Sequence, residues 1–232
     1  MSTPRVIVAL DFATAEEALA FAARVTPTQC RLKVGLELYT LAGPALVRAL
    51  IDRGFDVFLD LKFHDIPNTV ERACRQAADL GVWMLTVHCL GGRAMLEAAR
   101  RGVGDAAERP RVVGVTLLTS LDADAVREIG LSGDVTTRAL ALADIARHAR
   151  LDGVVCAPTE AQALRRKFGP DFLLVTPGIR PPGAELGDQQ RVLTPAQAIE
   201  QGSDLLVIGR PITRAPDPLA TLAAIEREIA RA

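Results

Sequence analysis

Charged side chains of alternating sign inside one short apolar run are the first feature of this sequence with chemical content. In the run 56–63, Asp60 and Lys62 lie two residues apart. On an extended strand they share a face with Asp56 and Phe58, while Val57, Leu59, Leu61 and Phe63 take the face suited to packing under helices. Lys33, in the run 30–38, alternates with Leu32, Val34 and Leu36 and has the same inward parity. Asp65 follows in the loop Phe63-His64-Asp65-Ile66-Pro67-Asn68-Thr69. An ammonium held among carboxylates can stabilise a developing negative charge and deliver a proton. The bland alternative is an ion-pair network that only holds the fold together.

A second chemistry is read from the C-terminal part. Arg180 ends one apolar run and Gly209-Arg210 ends another. Arginine clamps phosphate through two parallel hydrogen bonds, and glycine lets a backbone N–H approach an anion. The segment 181–191 contains Gly183, Gly187, Gln189 and Gln190, and has the length of a lid or of a plain solvated loop. Asp11 and Thr119-Ser120 also end apolar runs.

These residues need elements to position them, and the chain supplies a regular alternation. Strand-like runs fall at 5–11, 30–38, 56–63, 83–89, 111–119, 153–158, 173–179 and 205–210. Helical spacing marks 15–25, 44–53, 69–80, 93–101, 136–150, 160–168, 195–201 and 219–230. Thr14, Asn68 and Thr194 are read as N-caps, with Pro195 at a first helical position. Gly54, Gly81, Gly102, Gly169 and Gly202 are read as helix ends. Strict βα alternation implies a parallel sheet, and eight units fit a closed (β/α)8 TIM barrel, with all of residues 1–232 in a single domain. An open doubly wound sheet is the competitor, but no Gly-x-Gly-x-x-Gly follows the first strand. In such barrels the site lies at the C-terminal strand ends, where the charged residues above fall.

Composition narrows the function classes. Lys plus Arg number 27 against 28 for Asp plus Glu, which argues against a partner bound by broad positive charge such as nucleic acid. No apolar run is long enough for a membrane span, and the N-terminus does not read as a signal peptide. The expectation is a cytoplasmic protein with no membrane partner. Cys30, Cys74, Cys89 and Cys156 form no Cys-x-x-Cys pair and are expected to be free, buried thiols rather than a metal site.

The segment Asp60-Leu61-Lys62-Phe63-His64-Asp65-Ile66-Pro67-Asn68-Thr69-Val70 resembles the orotidine 5′-phosphate decarboxylase family. Val8-Ala9-Leu10-Asp11, Lys33-Val34-Gly35, Val115 to Ser120, Thr176 to Pro181, Gly187 to Arg191 and Ile208-Gly209-Arg210 extend the resemblance in family order. It implies decarboxylation of orotidine 5′-monophosphate to uridine 5′-monophosphate (UMP). It also implies a homodimer with shared sites and neither metal nor organic cofactor. By this resemblance Lys62 is the proton donor and Asp60 sits near the substrate carboxylate. Lys33 positions the charges and a ribose hydroxyl, and Asp11 also binds ribose. Asp65, Ile66 and Thr69 come from the neighbouring subunit. Thr119 and Ser120 face the pyrimidine, and Arg180, Gln189, Gly209 and Arg210 take the phosphate.

The nearest rival is a Mg²⁺-using relative acting on sugar phosphates. There an acidic residue holds the metal on the second strand, where this chain has Lys33, whose charge repels a cation. A catalytically inactive nucleotide-binding or assembly protein is the rival from another class. His64 is read as packing beside Asp65, His88 as packing or approaching the barrel mouth, His148 as solvated and Trp83 as packing.

Overall fold

The computed structural model describes residues 3–181 and 192–232. Eight parallel strands close on themselves in sequence order. They are β1 (Val6–Ala9), β2 (Arg31–Gly35), β3 (Val57–Phe63), β4 (Met84–His88), β5 (Arg111–Val115), β6 (Gly153–Val155), β7 (Leu173–Thr176) and β8 (Leu205–Ile208). Val6 pairs with Leu206 and Val8 with Ile208, which seals β1 against β8. The fold is thus the expected TIM barrel.

Side-chain alternation divides the apolar residues into two cores. Ile7, Ala9, Phe58, Met84, Val113, Val175, Leu205 and Val207 fill the barrel interior. Val6, Val8, Leu32, Val57, Leu59, Leu85, Val112 and Leu206 face the helices outside. Phe58 inward with Val57 and Leu59 outward is the parity read from the sequence.

The helices are α1 (Ala15–Ala22), α2 (Leu36–Ile51), α3 (Pro67–Asp79), α4 (Gly92–Gly102), α5 (Ala123–Glu128), α6 (Val135–His148), α7 (Ala161–Phe168), α8 (Pro195–Glu200), α9 (Arg210–Thr213) and α10 (Pro218–Ile229). Thr14 accepts the Glu17 N–H at 3.2 Å, and Thr194 and Gln197 cap each other's backbone N–H groups at the start of α8.

Several local readings need correction, and the strands expected to reach 119, 158, 179 and 210 stop at Val115, Val155, Thr176 and Ile208. The strand expected to run to 38 stops at Gly35, and Leu36 opens α2 with its side chain exposed. The helix expected from 44 is the second part of α2, because Gly43 (φ 61°, ψ −159°) breaks the helix and Pro44 restarts it without needing an N–H partner. Asn68 is not a cap: Ile66 holds that position and Pro67 fills the first turn. Gly102 lies inside α4, where a Cβ would come within 2.3 Å of the Glu71 carbonyl of α3, and Gly104 (φ 73°) supplies the left-handed residue after the helix. The short helices α5 and α9 add to the helical stretches expected from the sequence.

All four cysteines are buried free thiols, as expected. Burial pushes the Cys30, Cys74 and Cys89 thiols up to about 12. Among the described residues no helix is long and apolar enough to cross a membrane. Trp83 packs before β4 against the Arg31 and Arg111 guanidiniums, at 4.1 and 5.2 Å from its ring.

Candidate active site

The barrel register brings the charged residues together. Ala9 pairs with Lys33, and Gly35 pairs with Asp60, so the ends of β1, β2 and β3 lie side by side. Lys33 Nζ lies 3.7 Å from Asp11 Oδ1 and 3.4 Å from Asp60 Oδ2. Lys62 Nζ donates to Asp60 Oδ1 at 2.9 Å. The result is a row of alternating charge, Asp11–Lys33–Asp60–Lys62. Two glycines make room for it: a Cβ at Gly35 would stand 3.2 Å from Lys33 Nζ, and one at Gly209 would stand 3.0 Å from Asp11 Oδ2.

Lys62 reaches this row from an irregular strand. Leu59 pairs with Leu85 and Phe63 with Val87, so β3 takes four steps (59 to 63) where β4 takes two (85 to 87). Lys62 has a left-handed backbone (φ 50°), uncommon for a residue with a side chain. Bulges of this kind re-aim side chains beside active sites. Thr86 of β4 holds the distortion: its hydroxyl accepts the Lys62 N–H at 2.8 Å and donates to Asp60 Oδ1 at 3.1 Å. Sequence reasoning missed Thr86, although its inward parity in an apolar strand was a signal.

Burial pushes the Asp60 carboxyl up, but the charges of Lys33 and Lys62 and hydrogen bonds from Lys62 and Thr86 outweigh it. The net direction is below the usual aspartate range, so Asp60 is a fixed anion.

The row forms one wall of a cavity of about 310 Å³ at the C-terminal ends of the strands. Ala9, Phe58, Val155 and Val207 make its apolar floor. Leu118, Thr119 and Ser120 line it after β5, and Pro177, Gly178 and Arg180 after β7. Gly209 and Arg210 line it where β8 turns into α9. The cavity therefore gathers Asp11, Lys33, Asp60, Lys62, Thr119, Ser120, Arg180, Gly209 and Arg210 from the residues singled out in the sequence. Gln189 and the rest of 182–191 lie outside the described residues. Asp65, Ile66 and Thr69 do not line this cavity; Asp65 accepts the N–H of Ile66 at 2.6 Å, and both residues are exposed. Within one chain the fourth charge of the row is thus Asp11 rather than Asp65.

His88 does not line the cavity either. Its ring stacks on His64, 5.4 Å between centroids, and its Nδ1 accepts the Leu90 N–H at 3.3 Å. Burial, then the nearby His64 and Lys62, bring its pKa down to about 4, so it is a neutral packing group at pH 7. His148 is exposed on α6 and hydrogen-bonds the Asp144 carbonyl at 2.7 Å. Among the described residues no three His, Cys, Asp or Glu side chains cluster as metal ligands.

A closed parallel barrel with ammonium, carboxylate and guanidinium groups converging on a cavity at the C-terminal strand ends has the form of a TIM-barrel enzyme. The family model described as orotidine 5′-phosphate decarboxylase / HUMPS family matches residues 4–225, and the chain belongs to that family. An orotidine 5′-phosphate decarboxylase of Halorhodospira halophila is 59% identical over 99% of this chain and 97% of its own length. One of Nitrosococcus oceani is 55% identical over 99% of both chains. The crystal structure of orotidine 5′-phosphate decarboxylase from Lactobacillus acidophilus superposes with a TM-score of 0.87 at 40% identity, covering 98% of this chain and 99% of that one. The protein is a decarboxylase, a carboxy-lyase acting on a small molecule.

Proposed function

We propose that the chain decarboxylates orotidine 5′-monophosphate to UMP and CO₂, the last step of de novo pyrimidine synthesis. The observation that carries this reading is the row Asp11–Lys33–Asp60–Lys62 lining one cavity together with Arg180 and Arg210. The two arginines suit the phosphate, the row suits the reacting carbon, and Thr119 and Ser120 lie between them along the lining.

Breaking the bond from C6 to the carboxylate releases CO₂ and leaves an electron pair on C6 in the ring plane. The ring π system delocalises that pair poorly. Fixed charges must then stabilise it as it forms, which is electrostatic preorganisation. The Lys62 ammonium supplies the positive charge and then transfers its proton to C6. Asp60 orients that ammonium through its 2.9 Å hydrogen bond, and Lys33 holds Asp60 from the other side. Asp11, about half exposed, is free to meet a ribose hydroxyl. Phosphate lies away from C6, so its binding energy appears in the rate when it organises the charged row. This chemistry calls for no metal or organic cofactor.

Asp65, Ile66 and Thr69 belong in this reading to the site of a second copy. Large apolar side chains at Leu36, Ile66 and Leu90 are exposed on the connections after β2, β3 and β4. Apolar residues exposed in this way just after adjacent strands suit a homodimer that shares its sites. Residues 1–232 are read as one decarboxylase domain that works in the cytoplasm, with no nucleic-acid or membrane partner.

The deciding experiment is Lys62→Ala, assayed by loss of orotidylate absorbance. The variant should fold and bind UMP, while turnover falls by ~10²–10⁴-fold or more. Near-normal turnover overturns the reading.

A further inference from the structure

Two residues other than glycine have a left-handed backbone among the described residues: Lys62 (φ 50°) and Arg150 (φ 59°). Lys62 is in the candidate active site. Arg150 follows α6, where the Leu151 N–H closes back on the Ala146 carbonyl at 3.1 Å. Glycine ordinarily holds this position. The helices on either side follow that rule, with Gly130 (φ 83°) after α5 and Gly169 (φ 74°) after α7. A side chain here costs stability that glycine would retain. Strain of this kind points to what the side chain does.

Arg150 lines a depression of about 460 Å³ with Arg111, Arg147, Asp152 and Asp171. Arg111 opens β5, and Asp152 and Asp171 lie just before β6 and β7. The depression is therefore at the N-terminal end of the barrel, opposite the catalytic cavity. Its cations exceed its available anions. Asp152 is taken up by Arg109, with bonds of 2.7 and 2.8 Å, and by the Val112 N–H at 2.7 Å. Arg111 rests on Trp83 and Arg147 on Phe172, contacts that orient the guanidiniums without neutralising them. Among the described residues no carboxylate is within salt-bridge distance of Arg111, Arg147 or Arg150. Asp171 is the one remaining acid in the lining.

We propose that this depression binds a small polyphosphate anion, a di- or triphosphate group either free or carried on a nucleotide. Three guanidinium forks against one carboxylate call for a ligand with more than one negative charge and several acceptor oxygens. The site is concave, and the whole chain has a net charge of −1, which favours a small anion over a nucleic-acid polymer.

The test is calorimetric titration of pyrophosphate, and separately of ATP, without divalent cations at about 0.15 M salt. The proteins are wild type, Arg147→Ala, Arg150→Gly and Arg210→Ala. Binding with a Kd below about 1 mM should survive Arg210→Ala, weaken about tenfold or more in Arg147→Ala, and weaken in Arg150→Gly. Arg150→Gly should also raise the ligand-free Tm by about 2–4 °C as the strain is relieved. Equal affinities assign the phosphate chain alone, and tighter ATP binding adds a nucleoside contact; both support the site. Absence of binding to wild type overturns the proposal. So does binding that Arg210→Ala abolishes while Arg147→Ala leaves it intact, because the anion then sits in the catalytic cavity.

Discussion

At the scale of single residues, the site depends on fully engaged polar groups. Asp60 receives hydrogen bonds from Lys62 and Thr86 and lies 3.4 Å from Lys33. Removing a partner leaves a buried group unsatisfied, which costs about 1–3 kcal/mol. Thr86→Val keeps the shape but strips the Lys62 N–H of its acceptor and Asp60 of a donor. Its unfolding free energy should drop by that amount, measured by urea titration, and kcat should fall with it. Arg210→Ala should lower kcat/KM for orotidine 5′-monophosphate by ~10–100-fold and change little for the nucleoside lacking phosphate. Comparing the two substrates checks the phosphate assignment. Lys33 and Asp60 were legible from parity alone. Thr86 was not, because its importance comes from lying across the ladder from a distorted strand.

At the scale of elements, the alternation of apolar runs and helical spacing gave every barrel strand, yet its details failed where backbone geometry decides. The shift between β3 and β4 leaves no mark in a hydrophobic pattern, because Phe63 and Val87 are apolar in either register. Gly102 shows the same limit. Its place after a helical stretch suggests a helix end, but it is where α4 crosses α3 closely enough for a Cβ to meet the Glu71 carbonyl at 2.3 Å. Gly102→Ala should destabilise the protein by about 1–3 kcal/mol through overpacking. Thermal unfolding should show a lower Tm with turnover per folded molecule retained. A change without effect on Tm would mean that α4 is free to move away from α3.

At the scale of the whole molecule, buried titratable groups set the acid limb of stability. His88 has its pKa lowered from 6.5 to about 4 by burial and by the nearby His64 and Lys62. The unfolded chain takes up this proton first, so stability is complete above about pH 6.5 and is lost as pH falls through the folded value. Asp60, also lowered, adds a loss at still lower pH. Denaturant midpoints should therefore decline between pH 6.5 and 4, and His88→Asn should flatten that stretch. An unchanged slope in the variant would remove His88 from the account. The two barrel ends also differ in charge: the C-terminal mouth balances ammonium against carboxylate, while at the opposite rim Arg31, Arg109 and Arg165 each pair with an aspartate and the depression at Arg111, Arg147 and Arg150 holds more arginines than acids. A net charge of −1 conceals both patterns.

By itself the sequence determined the (β/α)8 class, the inward parity of Lys33 and Asp60, and the strand ends that carry Asp11, Arg180 and Arg210. Periodicity is a local property, and local patterns specify which face a side chain takes. Only the tertiary structure decided that Asp11 completes the charged row and that Thr86 braces a left-handed Lys62. It also decided that Asp65 and Ile66 stand apart from the cavity of their own chain. Those outcomes depend on register between strands distant in sequence and on backbone strain held by long-range contacts, and neither is encoded in the spacing of residues along one strand.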